Sequence, residues 1–325
     1  MSAAARRIEP DRAGRTPIVG LAVDSVFATD LLDHRTRGTA AEFGRAVEEA
    51  GVDFLVFGRD RLSASHPDTP TLDPTVAAVV LARHTTDVGI VVAAAVGREH
   101  PYNVARRLAS VDHGSRGRVG WLVGTVDRTE PHADAVWVDA DPLDATADAV
   151  TVVRSLWGSW PATSIVRDRS RGVFVDSGRI VHIDHDGVYR VAGPLNVPEP
   201  PQVRPPVFWS PRDDREEQVA GRIADVVVVA DADAAARHRA SSGPAVRSQV
   251  LLADVTWAEG REPVDASPAD GVLVHGVTSE TWSRVLDAVA RPPHTDGRQV
   301  TLRERLGLDV PEPETVGVRP AFPVA

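Results

Sequence analysis

Eight short apolar runs constrain this chain more than any other feature. They lie at 18–23, 53–58, 88–96, 118–125, 206–210, 225–231, 248–258 and 271–277. Runs such as VGIVVAAAV and DVVVVAD are apolar on both alternating faces, as strands covered on both sides must be. Stretches with helical signals lie between them. Phe43, Val47 and Ala50 recur at helical spacing, and Gly51 stops that helix. Asp73 and Pro74 form an N-cap and first-turn pair, and Pro101 opens a helix carrying Val104, Leu108 and Val111. Helices are also expected through Ala149–Trp160, around Glu216–Ala224, and through Trp282, Val285, Leu286 and Val289. Strand alternating with helix predicts a parallel sheet with helices outside, and eight such strands predict a closed (β/α)8 TIM-type barrel.

The expected organisation is one barrel domain over 16–310, a loose arm over 1–15 and a Pro-rich tail over 311–325. Residues 126–205 interrupt the alternation with an acidic stretch, a helix, hairpin strands and a Pro-rich loop, and read as an excursion from the barrel. The 325 residues suffice for a single barrel, and 42% of them are apolar. Cysteine is absent, which excludes disulfides, thiolate metal sites and a cysteine nucleophile. All 36 basic residues are arginine, which points to a GC-rich bacterial coding sequence. The net charge of −10 argues against general nucleic-acid binding. Neither a secretory signal nor an apolar run of membrane-spanning length is found, so a cytoplasmic protein is expected.

From Gly51 to Trp121 the pattern becomes specific. GVDFLVFG, a helix, VGIVVAAAV and HPYNVARRLASVDHGSRGRVGW follow in that order. Further on come VVRSLWGSW, GVFVDSGRIVHIDHDGVYRVAGPLNVPEPPQ, ADVVVV and TLRERLGL. The whole series resembles the luciferase-like flavin-dependent monooxygenases, in the branch of the nitrilotriacetate and dibenzothiophene-sulfone enzymes. The resemblance implies reduced FMN, supplied by a separate reductase and seated at the C-terminal strand ends, used with O2 to oxygenate a small organic substrate. It also implies a homodimer. Two other readings stay open: a flavin-deficient paralogue acting as a binding or scaffold subunit, and an oxidoreductase using the deazaflavin F420.

On that resemblance the strand ends supply the candidate site. Arg59 follows the second strand, where relatives carry an acid; it either faces the cofactor or pairs with Asp60. His100 follows the third strand and is the candidate catalytic residue, able to donate a hydrogen bond or a proton; helix capping is its structural alternative. Gly124 and Thr125 end the fourth strand, where Leu122 and Val126 replace the Asn and Ser of relatives. Ser210 and Arg212 follow the fifth. There S-P-R-D-D replaces a phosphate-cradling A-G-S-S, so Arg212 would have to compensate for Asp213 and Asp214. The stretch 258–271 is shorter than the helical insertion of relatives. HIDHDG at 182–187 looks like a metal motif but is explained by Asp-Gly turn chemistry, and no metal is expected.

Overall fold

The computed structural model of the chain describes residues 16–32, 39–58, 72–97, 99–124, 139–240, 248–259, 268–294, 299–311 and 319–322. The expected arm, Arg59, Thr125 and most of the shortened late segment lie outside these residues.

Eight parallel strands close into a barrel. They are β1 (Ile18–Val23), β2 (Phe54–Phe57), β3 (Gly89–Ala95), β4 (Val119–Gly124), β7 (Val207–Trp209), β8 (Val226–Val229), β9 (Val250–Thr256) and β10 (Gly271–Val277), with β10 returning to pair with β1. Each falls inside one of the eight apolar runs. Between them run α1 (Ser25–Asp30), α2 (Thr39–Glu49), α3 (Pro74–His84), α4 (Pro101–Ser115), α5 (Pro142–Gly158), α6 (Asp214–Ile223), α7 (Ala232–Ala240) and α8 (Trp282–Val289). The short α1 and α7 lack the apolar periodicity that announces the others. Local chemistry sets the helix boundaries. Asp73 and Asp141 cap α3 and α5, each followed by proline in the first turn.

Alternation divides the strand residues into two apolar layers. Val19, Leu21, Leu55, Val92 and Trp121 pack outward against the helices. Phe54, Val91, Leu122, Phe208, Leu252 and Leu273 fill the barrel itself. Phe54 and Phe208 lie 5.3 Å apart between ring centres. They fit because the facing inward positions are glycine: a Cβ at Gly20 would sit 2.2 Å from the Phe54 ring, and one at Gly120 2.8 Å from Phe208. The N-terminal end is then plugged by α9 (Leu302–Arg305), whose Leu302 joins the inner layer together with Leu306. Thr301 and Glu304 hold that helix by a capping box.

Most buried polar groups around this end are matched, Arg305 Nε excepted. Asp53 accepts from the Val19 amide at 2.7 Å and pairs with Arg291. Arg118 donates to the carbonyls of Ala82, Thr85, Val88 and Ser115. Arg303 reaches Asp225 at 3.1 Å. Asp112 accepts from the Val119 amide and the Gln202 side chain, and burial still pushes its carboxyl up to about 6.

The excursion contributes α5 and a hairpin of two very short strands, β5 (His185–Asp186) and β6 (Arg190–Val191). Asp148 of α5 organises the hairpin, accepting from the Tyr189 amide and contacting His185 Nε2, both at 2.8 Å. Residues 319–322 of the tail lie along the excursion: Pro320 bridges Val181, and Arg319 pairs with Asp184. No helix of the described residues is long and apolar enough to cross a membrane.

Candidate active site at the C-terminal mouth

The inward rows continue past the packed layer to the C-terminal strand ends, where barrel ligands bind. There their composition splits. On one side the rows finish in Ala22 after Gly20, Gly58 after Val56, Ala95 after Ala93, and Gly124 after Leu122. These side chains are a methyl or nothing, so they form a band of small residues above the Phe54–Phe208 layer; Gly58 gives its own space to Pro74 of α3. On the other side the rows of β7, β9 and β10 finish in Ser210, Asp254, Thr256 and His275, with Ala230 after Val228 of β8 between them. The mouth is therefore a smooth, small-residue seat facing a polar wall.

His275 and Asp254 are the least expected part of that wall. Register places Leu273 beside Asp254 and His275 beside Thr256, and Leu252 and Leu273 belong to the inner layer, so alternation turns Asp254 and His275 inward too. His275 Nε2 lies 2.9 Å from Asp254 Oδ1, an ion-pair approach rather than a well-angled hydrogen bond, and that nitrogen is buried. The strand is bulged at this point. Between Leu21–Val274 and Val23–Val277, β10 advances one residue more than β1. Gly276, at φ +90°, takes up the turn. Thr281 Oγ1 ties the bulge down by donating to the Gly276 carbonyl at 2.5 Å. Bulges of this kind re-aim a side chain at a barrel rim.

His100 sits at the opposite rim as the N-cap of α4. Its Nδ1 accepts from the Tyr102 amide at 3.2 Å, which leaves the ring proton on Nε2. Burial lowers its pKa, so the ring is a neutral donor. Tyr189 of the excursion meets it edge-on, with ring centres 5.9 Å apart. Burial and then the Asp148 charge push the Tyr189 hydroxyl up, keeping it protonated. The excursion thus delivers a second polar aromatic to the β3 end.

At the start of α6 the arrangement is closed. Asp213 caps the helix by accepting from the Glu216 amide at 2.9 Å. The Arg212 backbone amide and guanidinium both engage Glu216. Asp214, Glu216 and Glu217 make the first turn acidic. A helix N-terminus filled this way offers little to an anion.

Of the sequence candidates, Gly124 and Ser210 end neighbouring strands of the mouth, His100 stands at its rim, and Arg212 is held on Glu216. Arg59 and Thr125 lie outside the described residues. Tyr189, Asp254, Thr256 and His275 went unread in the sequence. The available signal was that Asp254 and His275 interrupt otherwise apolar strands near their C-terminal ends. Among the described residues no three His, Cys, Asp or Glu side chains converge as a metal site, and His185 of the HIDHDG segment is held by Asp148.

Comparison with known proteins gives consistent matches. A family model described as luciferase-like monooxygenase matches residues 20–252. A pristinamycin IIA synthase component from Streptomyces pristinaespiralis is 35% identical over 289 residues, covering 85% of this chain and 93% of that one. Nitrilotriacetate monooxygenase component A of Aminobacter aminovorans is 30% identical over 244 residues, covering 74% of this chain. This chain spans about half of that relative, 52% of its length. A riboflavin lyase solved with modified FMN and riboflavin superposes with a TM-score of 0.60 at 28% identity, covering 74% of this chain and 62% of that one.

Proposed function

This chain belongs to the luciferase-like monooxygenase family, and on that premise we propose that it is a flavin-dependent monooxygenase using reduced FMN from a separate reductase on a small organic substrate. One observation carries the reading: the inward rows of β1 to β4 end in alanine and glycine above an aromatic layer, beside a polar wall. That seat fits a flat tricyclic ring. Ala22, Ala95 and Gly124 would lie against the ring, with Ser210 beside Gly124. The bound flavin supplies the redox and oxygen chemistry. His100, neutral and carrying its proton on Nε2, donates a hydrogen bond at the rim. Tyr189 holds that ring in place and keeps water from its flank.

The fit is uneven. The α6 N-terminus is occupied by Asp213 and Glu216, so this end supports the ring better than the phosphate. That observation favours a second reading, in which the chain is a flavin-deficient subunit working with a homologous catalytic chain. A relative named as one subunit of a synthase agrees with it. Either assembly needs a docking face, and α3 exposes Val76 and Val79 on one stripe.

Equilibrium titration of the full chain with FMN, oxidised and anaerobically reduced, separates the readings when riboflavin and F420 are run in parallel. The monooxygenase reading expects saturable binding of reduced FMN and weaker binding of F420. Equal affinity for riboflavin and FMN would mean that the phosphate finds no partner. Absence of binding by all of them would transfer support to the subunit reading.

A further inference from the structure

Asp254 is a carboxylate that the flavin reading leaves without a task. The buried Asp53 and Asp112 and the part-buried Asp225 are matched to an arginine, an amide or both: Asp53 to Arg291, Asp225 to Arg154 and Arg303, Asp112 to Gln202 and Val119. Asp254 stands on the concave face, with its side chain 39% exposed into the mouth. Among the described residues its one partner is His275, and no arginine reaches it. A carboxylate accepts through about four lone-pair positions, so one imidazole contact leaves most of that capacity to a ligand. Thr256, beside His275 in register, adds a hydroxyl to the same wall. The bulge at Gly276 and its Thr281 anchor fix where His275 stands.

We propose that Asp254 and His275 form a substrate subsite that takes a basic or N–H-bearing group, an amine or amide nitrogen, on a molecule whose remainder lies toward the small-residue seat. This rests on reading the mouth as the ligand site. The nitrogen donates to the Asp254 carboxylate, beside which His275 stands at 2.9 Å. No bond is made or broken there. A substrate presenting a carboxylate at this position is repelled by the same group. The subsite therefore sets specificity by charge.

The test uses three probes of one shape: benzylamine, benzyl alcohol and benzoate. Each is titrated into the full chain labelled with 15N-histidine, and the His275 ring signals are identified by their loss in His275→Gln. Benzylamine is expected to shift those signals and to bind on the order of tenfold more tightly than benzoate, the scale of one charge-assisted hydrogen bond. Asp254→Asn should erase that preference while leaving the urea midpoint unchanged. Equal affinities for the three probes, or a preference that survives Asp254→Asn, would overturn the subsite. FMN titrated side by side distinguishes the two readings. FMN binding without amine preference defeats the subsite alone. Amine preference without FMN binding defeats the flavin reading alone. Loss of both defeats both.

Discussion

At the N-terminal end of the barrel, Phe54, Phe208 and Leu302 fill the space over Gly20, Gly89 and Gly120. At the C-terminal end the same inward rows finish in Ala22, Ala95 and Gly124 on one side and Ser210, Asp254 and His275 on the other. Small residues occur at both ends, but they do opposite things. Below, each glycine makes room for a side chain of this protein. Above, on the proposed function, the room is left to a ligand. The polar groups differ in the same sense. The lower end matches each buried acid to an arginine or an amide. The upper end keeps an exposed carboxylate and a buried imidazole nitrogen without a proper hydrogen bond. On the proposed function, stability and ligand binding fall to separate ends, as barrels of this type allow.

The largest effect expected on the lower end comes from Asp53→Ala. It leaves Arg291 buried without its carboxylate and the Val19 amide without its acceptor. Loss of about 3–5 kcal/mol in urea unfolding is expected. A loss under about 1 kcal/mol would mean that this end is not the stabilising one.

Asp112 gives a pH-dependent version of the same contrast. Burial pushes its carboxyl in the folded chain up to about 6 from 3.8. A raised folded value means that the stability gained by holding the proton is complete below 3.8 and is lost as pH rises through about 6. Between about pH 4 and about pH 7 the unfolding free energy of Asp112→Asn, taken relative to the natural chain, should rise by roughly 2–3 kcal/mol. A difference that stays flat with pH would show that the carboxyl is not strained by burial.

Gly20→Ala has a smaller expected effect. Its Cβ meets a Phe54 ring that Phe208 prevents from retreating, and overpacking of this kind costs about 1–3 kcal/mol. A neutral result would mean that the lower layer is looser than its contacts suggest.

Much of the barrel framework was legible in the sequence. The eight apolar runs carry the eight strands, because a strand buried on both faces must be apolar throughout. Asp73–Pro74 and Pro101 begin α3 and α4 as their chemistry requires, and Asp213 caps α6. The mouth was legible only residue by residue. His100 could be picked out because the family resemblance places a histidine in the stretch after the third strand. His275 and Asp254 could not, because facing one another depends on the β9–β10 register and on a bulge, neither of which is a local property. Arg212 looked like a cation available to an anion. Its engagement with Glu216 follows from their i,i+4 relation around the turn into α6, which a position counted from the strand end does not bring out. Tyr189 reaches His100 only because Asp148, on a distant helix, positions its hairpin.

The separation of the two ends is tested most directly by Ala22→Leu, with reduced-FMN affinity and urea unfolding measured on the same preparation. Ala22 is half-buried at the edge of the seat, where a longer side chain projects into the mouth rather than into the packed layer. The expected result is affinity reduced on the order of tenfold or more, with the unfolding free energy changed by less than about 0.5 kcal/mol. Unchanged affinity would place the flavin elsewhere, and a large fall in stability would make the mouth part of the core.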